Sequence, residues 1–225
     1  MGALFKKGSP TASEYEVAVS DEYHTAKGRG SHEIKVKGSR FIASVAPIDS
    51  EEKAKRFVEE ISRKYFDATH NCYAYRVGHG DGAIFRFSDA GEPFGTAGRP
   101  ILEAIESRDL TNVVVVVSRY FGGTKLGTGG LVRAYKESAV AVLDKVGLIT
   151  AFLTDDFALS FPYGLTKEVR QLLGKYDARV LSEEYGQRTS LTVRVRKSRS
   201  ERFREALAVL GKGKVKLGDI RTSKD

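Results

Sequence analysis

A single cysteine, Cys72, stands in 225 residues, which excludes an internal disulfide and any metal site built from several thiolates. Long apolar runs are missing too. No unbroken aliphatic stretch exceeds Val113 to Val117, far short of a bilayer span. The first residues, Met1-Gly2-Ala3-Leu4-Phe5-Lys6-Lys7, lack the apolar core of a secretory signal, and Lys6 stands where myristoylation asks for Ser or Thr. A cytoplasmic location is therefore expected. What is present is ordinary globular chemistry, 41% hydrophobic and 29% charged, which argues against wholesale disorder. The length suits one large domain or two small ones.

The charge is positive and uneven. Lys and Arg number 37 against 29 Asp and Glu, a net +8. Residues 1–150 hold 21 basic and 19 acidic residues, whereas residues 151–225 hold 16 and 10. A small module that basic invites a polyanion, RNA or a ribosome most simply. A solvated surface with spare lysines is the alternative.

Residues 1–22 show little period and contain Gly8-Ser9-Pro10-Thr11, so a loose leader is expected there. Between residues 23 and 150, strands are expected at Glu33–Lys37, Phe41–Val45, Asn71–Val77, Ile84–Ser88 and Val113–Ser118. The last is apolar on both faces and hence central. Helices are expected after Ser50, over Pro100–Ser107, and from Leu131 to a stop at Gly147. Residues 151–225 change rhythm to β (Asp156–Phe161), α (Leu165–Tyr176), β (Arg179–Glu184), β (Leu191–Arg196), α (Glu201–Leu210), β (Lys214–Ile220). That order is the ferredoxin-like split βαβ sandwich, and it sets a domain boundary near Thr150.

The strongest chemical signal is the run from Arg119 to Arg133. A buried strand leads into five glycines in nine residues, Gly122, Gly123, Gly127, Gly129 and Gly130, and a helix begins where they end. Such a loop lets backbone N–H groups approach an anion, with Arg119, Lys125 and Arg133 as cations and Thr124 and Thr128 as hydroxyl donors. It is not a Walker A loop, since Gly-x-x-x-x-Gly-Lys-Ser/Thr is absent. The alternative is a tight strand-to-helix turn needed only for packing.

A second cluster, Asp89, Glu92, Thr96 and Arg99, falls in the loop after Ser88. Asp89 and Glu92 can serve as an acid–base pair or hold Mg²⁺. Alternatively, Asp89 caps turn amides and Glu92 pairs with a nearby arginine. His70 and Cys72 share one strand face, where a nucleophilic pair is conceivable, although a cysteine so placed is most often a buried apolar residue. A zinc site at His70, Cys72 and His79 lacks standard spacing and a fourth ligand. His24 and His32 receive no role. In the second half, Arg194, Arg196, Lys197, Arg199, Arg202 and Arg204 form a basic patch that can follow a phosphate backbone. Phe203 is its only aromatic residue, so base stacking is poorly supported there.

Taken together, Ser88-Asp89-Ala90-Gly91-Glu92-Pro93, Gly95-Thr96-Ala97-Gly98, Pro100-Ile101-Leu102, Arg119-Tyr120-Phe121-Gly122-Gly123, Lys125-Leu126-Gly127 and Gly129 through Tyr135 resemble the signature of the IMPACT family in its bacterial YigZ-like branch. Lys37-Gly38-Ser39-Arg40-Phe41 and His70-Asn71-Cys72-Tyr73-Ala74-Tyr75 resemble its earlier motifs. The resemblance implies an α+β protein of two domains, with a fold like ribosomal protein S5 domain 2 followed by a ferredoxin-like domain similar to the last domain of elongation factor G. It implies an association with translation as well. Eukaryotic relatives regulate translation by competing for an activator of a stress-responsive kinase, partly through an N-terminal domain that this sequence lacks.

Three functions follow as expectations. The first is a translation-associated protein that binds RNA or the ribosome through the glycine loop and the basic second domain. Another is an enzyme that binds a small phosphorylated or nucleotide ligand, with Asp89 and Glu92 as metal or acid–base groups. The third is a protein–protein adaptor. No complete catalytic set is visible, and neither a cofactor nor a resident metal is expected.

Overall fold

A computed structural model describes residues 21–219 and divides them into two compact units that meet between Ala151 and Phe152. Most of the segment expected to be a loose leader lies outside the described residues, and Glu22 already opens a strand.

The first unit runs β1 (Glu22–Ala26), β2 (Gly30–Val36), β3 (Ser39–Pro47), α1 (Glu51–Lys64), β4 (His70–Val77), β5 (Ile84–Ser88), α2 (Gly98–Glu106), β6 (Val113–Tyr120), α3 (Thr128–Val146) and β7 (Leu148–Phe152). Strands β2-β3-β6-β4-β5 form one sheet in that order, and every neighbouring pair is antiparallel. β1 and β7 pair separately.

β6 is central because its valines are buried on both sides. Val113, Val115 and Val117 join Phe41, Cys72, Ile101, Leu102 and Tyr135 in the core beneath α2 and α3. Val114 and Val116 join Ala54, Phe57, Ile61 and Tyr75 beneath α1. Strand alternation thus splits one valine run between two cores.

The helix starts explain themselves locally. Ser50 caps α1, its Oγ accepting the Lys53 N–H at 3.2 Å, with Glu51 and Glu52 in the positive first turn. α2 begins at Gly98, two residues ahead of the expected Pro100 start, because a distant carboxylate, Asp89, caps it (below). α3 starts three residues ahead of Leu131, so Thr128, Gly129 and Gly130 are its first turn rather than loop.

The second unit continues β8 (Thr154–Phe161), α4 (Thr166–Lys175), β9 (Arg179–Tyr185), β10 (Thr189–Arg196), α5 (Lys197–Val209) and β11 (Lys216–Asp219). Its sheet order is β11-β8-β10-β9, all antiparallel, which is the ferredoxin-like arrangement read from the rhythm. Phe157, Leu159, Phe161, Leu191, Val193 and Val195 face Val169, Leu173, Phe203 and Leu207 of the two helices. The protein is α+β with two domains.

Candidate functional site

The two motif clusters of the first unit meet in space. Arg119 continues the buried row Val113, Val115, Val117 and lies in register between Phe41 on β3 and His70 on β4. Its side chain is 7% exposed, and Nη1 donates to Glu92 Oε1 at 2.5 Å. Glu92, its side chain 3% exposed, descends from the loop between β5 and α2 onto the same site. The Tyr135 hydroxyl of α3 donates to that same oxygen at 2.9 Å. His70 Nε2 stands 3.9 Å away, while its Nδ1 donates to the Ala90 carbonyl at 2.9 Å. Arg119 also reaches Ser39 Oγ at 3.5 Å and lies over the rings of Phe41 and Phe121, whereas its buried Nε has no hydrogen-bond partner among the described residues.

This corrects the reading of Arg119 as a free phosphate cation. A charge at the end of an apolar row must be paired or neutralised, and Glu92 does the pairing. Arg119 is scaffold for the loop that follows it.

Asp89 is equally committed. Its two carboxylate oxygens accept the N–H groups of Gly95 (2.8 Å), Ala97 (3.0 Å) and Gly98 (2.8 Å). Three amide donors leave little capacity for a metal or a mobile proton, which weighs against the acid–base reading of Asp89 with Glu92. Thr96 is buried, with its hydroxyl donating to the Pro93 carbonyl at 2.6 Å. Arg99 is exposed on the first turn of α2 and faces Glu103 at 3.5 Å.

Cys72 is fully buried, its sulfur 2.9 Å from the Asp89 carbonyl and 3.4 Å from the Tyr135 hydroxyl. Burial pushes its thiol up to about 12, which is the wrong direction for a nucleophile. Burial likewise drives the Tyr135 hydroxyl upward. The Cys72–His70 nucleophilic pair is therefore set aside. His79 stands at the far end of β4 against Tyr23 and Asn112, away from His70. Among the described residues no three His, Cys, Asp or Glu side chains gather as a metal cluster.

Above this buried network the glycine loop is open. Phe121 through Lys125 are exposed, as are Gly127, Thr128, Gly129 and Arg133, while Leu126 and Gly130 are half-buried. Gly122 is required because the loop begins against the β2–β3 turn: a Cβ there would lie 1.9 Å from the Gly38 carbonyl carbon. The Gly122 N–H donates to Ser39 Oγ at 3.1 Å, fastening the same contact. Gly127, at φ +73°, turns the chain into α3 in a conformation L side chains resist. Among the described residues no side chain caps that helix, which leaves its first N–H groups to solvent or a ligand. Arg133 folds back over this turn, with Nη1 3.8 Å from the Cβ position of Gly129. Neither Lys125 nor Arg133 has an ion-pair partner among the described residues.

Three of the six residues of the basic patch in the second unit face carboxylates of that unit. Arg194 grips Asp156 bidentately at 2.7 and 2.8 Å, Arg199 pairs with Asp177, and Arg204 faces Glu201 at 3.8 Å. The Arg199 hydrogen bond holds the Asp177 carboxyl below its usual range. Arg196 stacks over Phe152 at 3.3 Å, leaving Lys197 and Arg202 as exposed cations. Phe203 is buried in the core and offers no base platform. The opposite sheet face carries a shallow depression of about 410 Å³ lined by small residues such as Ala158, Ser160, Ser190 and Thr192.

Sequence reasoning missed His70 and Tyr135 as members of the buried network. Their signal was faint. Tyr135 has a core spacing on its helix, and only the fold shows that its hydroxyl needs a partner.

These features define an α+β, two-domain protein whose first domain displays a glycine-rich loop on a buried Arg–Glu–Tyr network. Residues 37–143 match the family model described as Impact N-terminal domain, and residues 159–214 match the Domain of unknown function (DUF1949). IMPACT family member YvyE of Bacillus subtilis is 35% identical over 88% of this chain and 92% of its own. IMPACT family member YigZ of Escherichia coli is 34% identical over 81% and 90%. A solved structure, titled as the crystal structure of an hypothetical protein, superposes with a TM-score of 0.65 at 31% identity, covering 90% of this chain and 98% of its own. The chain belongs to the IMPACT family.

Proposed function

We propose that this protein binds RNA or the ribosome as a translation-associated regulator, with the loop from Gly122 to Gly130 as its phosphate-facing surface. The observation that carries the reading is the start of α3, uncapped by any side chain among the described residues, where Lys125 and Arg133 stand exposed with no carboxylate partner among those residues. Exposed amides, the positive end of a helix and two unspent cations together favour a phosphate chain over a neutral ligand. Lys197 and Arg202 of the basic second unit add long-range attraction, and the association with translation implied by the family resemblance fits the same reading. The nucleotide-enzyme alternative draws less support, since the Asp89 carboxylate is filled by three amides and Glu92 by Arg119 and Tyr135.

Fluorescence anisotropy of the full chain with a labelled single-stranded RNA, titrated across salt concentrations, tests it. Lys125→Ala should weaken binding and lower the salt slope by about one counterion, leaving thermal stability unchanged. If RNA binds only at low salt and Lys125→Ala behaves as the parent, the loop is not a phosphate surface.

A further inference from the structure

Among the described residues, β5 is the outermost strand of the first unit's sheet and pairs with β4 alone. Alternate residues of such an edge turn their N–H and C=O groups away from the sheet, and proteins usually blunt them with proline, lysine or a bulge. β5 has no proline, lysine or bulge: its five residues are Ile84-Phe85-Arg86-Phe87-Ser88, with Arg86 its one charge, and its register with β4 is unbroken. It is also unusually apolar for a bare edge. Ile84 is 39% exposed, Phe85 49% and Phe87 39%.

The two formal charges carried by β4 and β5 are both arginines, Arg76 and Arg86. Arg86 is exposed, has no ion pair among the described residues, and donates from Nη1 to the Phe85 carbonyl at 3.0 Å. Arg76, opposite Phe85 on β4, has no ion pair either. The carboxylate whose charge Arg86 feels, Glu51, is already engaged by the Tyr75 hydroxyl at 2.9 Å and by Lys55 at 3.2 Å.

We propose that β5 docks an extended segment of a protein partner, adding it as a sixth strand, with an acidic residue of the partner opposite Arg86 between two apolar ones. Backbone hydrogen bonds would supply the attachment, with Phe85 and Phe87 the apolar contacts and Arg86 the selectivity. Arg86 also argues against a second copy of this chain. Pairing two β5 strands antiparallel over their full length sets Arg86 opposite Arg86, and like charges directly across a ladder are destabilising.

The test is amide NMR of the full ¹⁵N-labelled chain, titrated with a short capped peptide carrying Val-Glu-Val at its centre and, separately, its Val-Lys-Val counterpart. Millimolar binding is visible this way. The acidic peptide should shift the amides of Ile84–Ser88 and bind the parent more tightly than the basic one. Arg86→Glu, a change at an exposed position, should weaken the acidic peptide about tenfold and reverse the preference. No shifts in β5 with either peptide, or equal response to both, would overturn the proposal. So would sedimentation as a dimer that Phe87→Lys dissociates, which would assign the edge to a second copy.

Discussion

Two arginine–carboxylate pairs of similar length sit in the two units and differ in almost everything else. Arg119 meets Glu92 at 2.5 Å with side chains 7% and 3% exposed; Arg194 meets Asp156 at 2.7 Å with side chains 46% and 17% exposed. Both arginines lie toward the ends of strands that carry buried valines. Arg119 falls in step with Val113, Val115 and Val117, so the pleat drives it inward. Arg194 falls between Val193 and Val195, which are buried, so the pleat turns it out. One residue of phase decides whether a charge becomes part of the frame or part of the surface.

That difference sets the size of what mutation does. Glu92→Ala strands a buried guanidinium and removes the acceptor of Tyr135. It should lower the stability of the first unit by about 3–5 kcal/mol, read from urea unfolding. A loss under about 1 kcal/mol would mean that water reaches Arg119 and that the contrast between the pairs is false.

Cys72 tests the dryness of the same pocket. Its thiol ionises near 9 in an ordinary setting and is pushed up to about 12 here by burial. Between those values the unfolded chain releases a proton that the folded chain keeps. The thiol's contribution is therefore complete below pH 9 and fades as pH rises toward 12, by up to about 1.4 kcal/mol per pH unit. Urea midpoints at pH 8 and pH 10 should diverge more in the parent than in Cys72→Ala. Equal divergence would place solvent at the sulfur. The smallest effect is expected at the exposed pair: Arg194→Ala should change stability by less than about 1 kcal/mol, because solvent screens a bond of this kind. A larger loss, by the same urea assay, would erase the distinction.

Much of this was legible before any coordinates. The split of the valine run, the caps at Ser50 and Gly147 and the βαββαβ rhythm all rest on local chemistry, and the two-domain α+β fold follows from them. Arg119 was legible as well, since counting by twos from Val113 places it in the buried row. It was nevertheless read as a surface cation because the glycines beyond it drew it into their loop. Glu92 could be read only as having some arginine partner, because its contacts cross 27 residues to Arg119 and 43 to Tyr135. For a related reason the sequence alone does not show which cations of the basic patch are paired. The patch's partners Asp156 and Asp177 come from a neighbouring strand and a turn, and composition counts such charges as though they were unspent.

The irregular segment between β5 and α2 is pinned at two points, by three amides on Asp89 and by the Arg119–Glu92 bond. The glycine loop beside that bond is pinned where Gly122 meets Ser39. On the proposed reading, a phosphate arriving there would find a receptor whose shape is set in advance. Little chain entropy remains to be lost on binding, so affinity can be modest in enthalpy and still useful.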